Sequence, residues 1–298
     1  MSDGPLREVD WLRERLGAPG LRVVDCRFRL GEPGAGELLW RAGHIPGAAF
    51  LDVDSDLAAA PGERGRHPLP AGEDFEAAAR RAGIGACTSV VAYDEAGEGG
   101  AARLWWLLRH FGHDDVAVLD GGLRSWRENG GPMDDGEPAP PDPDPFSARP
   151  RSGDTATAEE LARHEDGTLL LDARAPERYR GEVEPVDAVA GHIPGAVNLP
   201  FADAAPEGRF RDPEELRARF ARAAGAGGGA AAGLVAYCGS GITACTLVLA
   251  AEVAGVGPAR LYPGSWSEWS GRGYPVARQD RARSTESRSS GPGGRRSA

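Results

Sequence analysis

Lysine is absent from the sequence: all 34 basic side chains are arginine. That excludes a Schiff-base lysine and the lysine of a phosphate-binding P-loop. Cysteine is scarce. Cys26, Cys87, Cys238 and Cys245 are the only four in 298 residues, too few for a disulfide scaffold. No two form a Cys-x-x-Cys pair, and Cys238 and Cys245 are spaced unlike zinc ligands. The six histidines form no ligand-like cluster either, so neither a metal nor a cofactor is expected. Long apolar runs are missing, since none approaches the ~20 residues that cross a bilayer. The opening stretch MSDGPLREVDWLRERL is charged where a secretory leader carries an apolar core. Excess positive charge is lacking as well. The formal net charge is -11, which argues against nucleic acid and anionic membrane as partners. A cytoplasmic protein is expected.

What is present is a repeat. The segment AGHIPGAAFLDV at 42–53 returns as AGHIPGAVNLPF at 190–201, and LRVVDCR at 21–27 returns as TLLLDAR at 168–174. SVVAYD at 89–94 parallels GLVAYC at 233–238, and VLDGGLRSWRENGGPM at 118–133 parallels LYPGSWSEWSGRGYPV at 261–276. The blocks keep their order, and the offset drifts only between 143 and 148 residues. One ancestral unit has been duplicated, in keeping with about 150 residues per domain.

Each unit alternates strand-like and helix-like segments. The apolar runs ending in Asp25 and Asp172 have the pattern of buried parallel strands, and SVVAY and GLVAY that of second strands. AARLWWLLRHFG (101–112) and TACTLVLAAEVAG (243–255) have helical length with glycine at the end, and VAVLD and ARLY are third strands. The fold class is therefore α/β, with a parallel sheet flanked by helices in each of two tandem domains. Residues 1–133 form the first domain and 157–278 the second. Between them, 134–156 is a Pro-rich, extended linker, and the polar tail 279–298 has the composition of a disordered segment.

Chemistry concentrates at CGSGIT, residues 238–243. Cys238 falls where a strand gives way to a helix, the place where open α/β sheets bind ligands. The glycines permit a tight nest of amide N–H groups, and the helix N-terminus adds its dipole, so a sulfur anion is favoured there. The first unit has Asp94 in the same slot, so only the second unit is expected to be catalytic. Cys245 is expected too far along the helix to share the cradle. His44 and His192 recur in both units, including the one without the thiol, and so do Asp25 and Asp172. All four are expected to be structural. Trp105, Trp106, Trp266 and Trp269 are expected in the core or the cleft wall.

The two repeats, the GHIPGA blocks and the CGSGIT turn resemble the tandem-domain sulfurtransferases of the rhodanese family, over residues 5 to 278. The loop is similar to the CG(S/T)GVT loop of the 3-mercaptopyruvate enzymes, with Ile242 for valine, and departs from the CRKGVT loop of the thiosulfate enzymes. The resemblance implies that Cys238 accepts sulfur as a persulfide from a small-molecule donor. It then passes that sulfur to a thiol, a thioredoxin-like protein or cyanide. It also implies a catalytic set of Cys238, Ser240, His67 and Asp54, the last two from the segments RHPLP and FLDVDSD of the first unit. Substrate would meet Arg178, Gly239, Gly241, Ile242 and Thr243. Ser240 suits a keto acid, because a hydroxyl can bond its carbonyl or carboxylate. Many mercaptopyruvate enzymes carry a second arginine where this chain has Val186. Here one arginine suffices, another such as Arg180 substitutes, or the donor is a different one, thiosulfate being the alternative within the enzyme class. A non-catalytic sulfur carrier is the alternative of another class. A Cys-x5-Arg phosphatase is excluded, since the sixth position after Cys238 is Ala244.

Overall fold

The computed structural model describes residues 4–136, 144–163, 167–227 and 233–279. Residues 4–136 supply strands β1 (Leu6–Arg7), β2 (Leu21–Asp25), β3 (Ala49–Phe50), β4 (Ser89–Tyr93) and β5 (Val116–Leu119). Their helices are α1 (Val9–Arg15), α2 (Ala35–Ala42), α3 (Gly72–Arg81), α4 (Gly100–His110) and α5 (Gly122–Glu128). Further along come strands β6 (Thr168–Asp172), β7 (Val197–Asn198), β8 (Gly233–Tyr237) and β9 (Ala259–Leu261). These alternate with α6 (Ala158–Arg163), α7 (Pro176–Arg180), α8 (Phe201–Ala204), α9 (Pro213–Ala226), α10 (Ala244–Ala254) and α11 (Ser265–Gly271).

The first sheet has the order β1-β5-β4-β2-β3 and the second β7-β6-β8-β9, every pair parallel. The repeat is visible in the register. Leu21 to Asp25 pair with Ser89 to Tyr93, and Thr168 to Asp172 pair with Gly233 to Tyr237. A parallel bridge from Thr155 to Leu261 takes the place that β1 holds against β5 in the first sheet. The central strands are apolar and buried on both faces, as a sheet covered by helices on each side requires.

Helices α4 and α10 are apolar almost all round and almost wholly buried. A helix of that kind belongs inside a protein. The two pack against each other, and one hydrophobic cluster runs from Val24 and Ala92 through Trp105 and Leu247 to Ala236 and Leu169. Each fully buried leucine of α10, such as Leu247 or Leu249, contributes roughly 1.5–3 kcal/mol. The turns that open these helices therefore rest on a shared rigid core.

The recurring polar residues have structural partners. Asp25 pairs with Arg27 at 2.7 Å, Asp172 with Arg174 at 2.6 Å, and Tyr93 donates its hydroxyl to Asp25 at 2.8 Å. His44 Nδ1 donates to the carbonyl of Trp40 at 2.8 Å and its ring stacks on Trp40. His192 repeats this with the carbonyl and ring of Tyr179. The four tryptophans are core residues, at most 4% exposed. Within the expected linker, residues 144–154 contain no helix or strand. They lie along the first unit, where Phe146 is buried and the amides of Arg149 and Arg151 bond the carbonyls of Phe111 and His110. Residues 137–143 of that linker, and 280–298 of the expected tail, lie outside the described residues. No helix among the described residues is long and apolar enough to cross a membrane.

Candidate active site

Strand β8 ends at Tyr237 and α10 begins at Ala244, so Cys238 to Thr243 form the turn between them. Cys238 is buried, only 2% exposed. Gly241 donates its N–H to Cys238 Sγ at 3.1 Å. The N–H of Cys238 bonds the Ser265 hydroxyl at 3.1 Å, and its carbonyl accepts from Trp266 at 3.0 Å. The amides of Ser240, Ile242 and Thr243 have no acceptor among the described residues. Gly241 sits at φ +83, and a Cβ there would stand 2.4 Å from the carbonyl oxygen of Pro263. Only glycine lets the chain turn this tightly around the sulfur.

The first unit repeats this turn with a different side chain in it. Asp94, in the slot of Cys238, points its carboxylate into the equivalent nest. It accepts from Gly97 N–H at 2.7 Å, Gly99 N–H at 3.0 Å and Ala101 N–H at 3.2 Å. Gly97 and Gly241 are repeat equivalents, each donating to the residue three positions earlier. Burial and neighbouring Glu98 push Asp94 up to about 7, against the pull of those amides.

Two residues of the first unit, Asp54 and His67, meet Ser240 of the thiol turn. His67 Nδ1 stands 2.7 Å from Ser240 Oγ, and His67 Nε2 stands 2.9 Å from Asp54 Oδ1. An ionised carboxylate only accepts, so Nε2 carries the proton and Nδ1 accepts the Ser240 hydroxyl proton. Burial pulls the His67 pKa below its ordinary value. Asp54 opposes this, while the positive charges of Arg103 and Arg66 reinforce it. The imidazole is therefore neutral near pH 7. Arg103 ties the set together. It is fully buried on α4 and donates to the carbonyls of Leu57 (3.1 Å), His67 (3.2 Å), Pro68 (3.4 Å) and Gly241 (3.2 Å).

Comparison with known proteins agrees with this construction. The rhodanese-like domain family matches twice, at residues 8–129 and 157–272. The chain belongs to the rhodanese-like family. A probable 3-mercaptopyruvate sulfurtransferase of Pseudomonas aeruginosa is 44% identical over 276 residues, covering 90% of this chain and 96% of the relative. A putative thiosulfate sulfurtransferase, SseB, of Mycobacterium tuberculosis is 43% identical over 256 residues, covering 83% of this chain and 87% of the relative. The solved 3-mercaptopyruvate sulfurtransferase of Leishmania major superposes with a TM-score of 0.78 at 29% identity, over 92% of this chain and 76% of the other.

In this rhodanese-like site Arg178 stands next to the thiol turn. A Cβ placed on Gly239 would lie 3.6 Å from both of its terminal nitrogens. Its guanidinium is bound by Glu184 at 2.6 Å and lies 3.5 Å from Asp187. Burial works against ionisation of Glu184, but Arg178 and the amides of Asp187 and Val186 outweigh it and hold its pKa below the usual range. Arg180 is not brought to the thiol turn, since it pairs with Glu182 on the surface. Ile242 turns into the hydrophobic core. The side of Thr243 faces a second cleft with Arg27, Phe28 and Phe201. Both backbones belong to the turn, whereas the Ile242 side chain serves packing.

One expectation is corrected. Cys245 is not remote from the cradle. It lies in the first turn of α10, and its thiol donates to the carbonyl of Gly241 at 3.3 Å. Burial pushes its pKa up to about 12, so it stays a neutral thiol behind the turn. Arg66, Arg103, Glu184, Asp187 and Ser265 were not legible as site residues. Arg103 alone carried a signal, an arginine in the opening turn of a helix whose other basic residues, Arg109 and His110, lie in its last turn. Ser265 occupies φ +52, a costly conformation for a residue with a Cβ. Its hydroxyl accepts from Cys238 and donates to the carbonyl of Tyr262 at 2.9 Å.

Proposed function

We propose that the chain is a sulfurtransferase that takes sulfur from 3-mercaptopyruvate onto Cys238 and delivers it to a thiol or to cyanide. The observation that carries this reading is the hydrogen-bonded chain Asp54–His67–Ser240 beside the thiol turn. The Cys238 thiolate attacks the mercapto sulfur of the donor. A sulfur–sulfur bond forms, the carbon–sulfur bond breaks, and its electron pair leaves with carbon as the enolate of pyruvate. Negative charge then develops on the former carbonyl oxygen. The Ser240 hydroxyl, held at rest by Nδ1 of His67 in the tautomer that Asp54 fixes, is a donor that can turn to that oxygen. The proton of the donor thiol finally appears in the methyl group of pyruvate. Cys238 is left as a persulfide whose anion the turn amides hold. An incoming thiolate or cyanide attacks the outer sulfur and releases the Cys238 thiolate.

The charge balance favours this donor over thiosulfate. Two guanidiniums, Arg66 and Arg178, stand near Gly239, but Glu184 and Asp187 neutralise them. That balance suits one carboxylate better than a compact dianion. The domain assignment follows: 157–278 catalytic, 1–133 supplying Asp54 and His67. Intact-protein mass spectrometry after incubation with 3-mercaptopyruvate tests the reading. One added sulfur atom on wild type and none on Cys238→Ser supports it. An unmodified wild type overturns it.

A further inference from the structure

Val186 stands where mercaptopyruvate enzymes of the family carry a second arginine, and its exposed side chain offers an anion no donor. A second guanidinium is nevertheless present, and it comes from the other half of the chain. Arg66 Nη1 bonds Asp187 Oδ1 at 2.9 Å, one residue from Val186. Arg66 Nη2 lies 3.3 Å from the point where a Cβ on Gly239 would be, and both terminal nitrogens of Arg178 lie 3.6 Å from that same point. Two guanidiniums thus converge on the residue directly after Cys238.

Arg66 is held for this position. Its backbone N–H donates to Ser267 Oγ at 3.0 Å. Gly65, at φ +100, packs so closely that a Cβ would meet the carbonyl of Gly264 at 2.7 Å. Two polar atoms here are buried without a hydrogen-bond partner: Arg66 Nε and Asp187 Oδ2. An unsatisfied buried donor on a guanidinium beside the thiol turn is a group awaiting an acceptor. Asp187 pairs with both arginines, Oδ1 with Arg66 at 2.9 Å and Oδ2 with Arg178 at 3.5 Å, and so ties their spacing.

We propose that Arg66 is the second carboxylate-binding guanidinium of this enzyme, supplied by the first unit in place of the arginine missing at Val186. Together with Arg178 it forms a two-armed clamp for the carboxylate of the keto-acid donor. The inference rests on the functional reading above. Gly239 leaves the space between the arms free, because a Cβ there would crowd Arg66 and touch Arg178.

The test uses the full-length protein and two readouts. In the first, Arg66→Met raises KM for 3-mercaptopyruvate about 10- to 100-fold, the scale of one lost charge-assisted bond, with kcat within a few-fold of wild type. The double variant Arg66→Met/Val186→Arg regains most of that loss by returning a guanidinium from the other side. The second readout needs no turnover. The ratio of Cys238 alkylation rates by iodoacetate and by iodoacetamide, followed at its own peptide, falls several-fold in Arg66→Met, because only iodoacetate carries a carboxylate. Arg66→Gln serves the same purpose should the methionine variant fold poorly. A folded Arg66 variant with unchanged KM and an unchanged alkylation ratio overturns the assignment. If wild type shows no turnover with 3-mercaptopyruvate, the donor reading fails, and the alkylation ratio still decides whether Arg66 draws a carboxylate to Cys238.

Discussion

The ring of His67 bonds the hydroxyl of Ser240 at 2.7 Å, although 173 residues separate them in the chain. The contact exists because each unit lends the other one side of the site. It makes Ser240 more than a turn residue. In the proposed mechanism Ser240→Ala removes the donor to the developing enolate oxygen, which thiosulfate chemistry does not generate. We expect kcat with 3-mercaptopyruvate to fall about 100-fold, the usual scale for such a group. Turnover with thiosulfate should stay within a few-fold. Equal losses on both donors, measured side by side with cyanide as acceptor, would contradict this role.

The same contact sets a pH dependence. His67 is neutral at rest, because burial holds its pKa below 6.5. Its Nδ1 accepts the Ser240 hydroxyl, a bond that only the neutral ring makes, so Ser240→Ala should raise the His67 pKa. Titration of the imidazole by NMR checks this, with a midpoint below 6.5 expected in wild type and a higher one in Ser240→Ala. A wild-type midpoint above 6.5, unchanged in Ser240→Ala, would contradict it.

The turn itself predicts a contrast between two glycines. Gly255 ends α10 at φ +66 with open space around the Cβ position, whereas Gly241 combines φ +83 with a contact at 2.4 Å. Gly255→Ala should cost about 1 kcal/mol from backbone strain alone and leave turnover intact. Gly241→Ala should cost about 3 kcal/mol or more in urea unfolding and abolish persulfide formation. Similar costs for the two would mean that the turn around Cys238 is looser than described.

Much of this was legible in the sequence, for identifiable reasons. The central strands show as apolar runs because they are buried on both faces. Helices α4 and α10 show because they are apolar, long and closed by glycine. β3 and β7 were hidden, as two residues carry no periodicity. Cys238 and Asp94 could be compared directly because the repeat aligns them. His67 and Asp54 emerged only through family resemblance, since nothing local ties them to Ser240. Arg66 sits in the quoted stretch RHPLP, but its role depends on the approach of Gly65 to Gly264, a tertiary contact between units. Cys245 was misplaced because its thiol folds back along the helix to the carbonyl of Gly241, four residues earlier.

The donor is the central claim, and one comparison tests it most directly. Steady-state kcat/KM is measured for 3-mercaptopyruvate and for thiosulfate under identical conditions, with cyanide accepting. The neutralised arginine pair and the Asp54–His67–Ser240 chain predict a kcat/KM at least about 10-fold higher for 3-mercaptopyruvate. A value for thiosulfate equal to or above it would contradict the account.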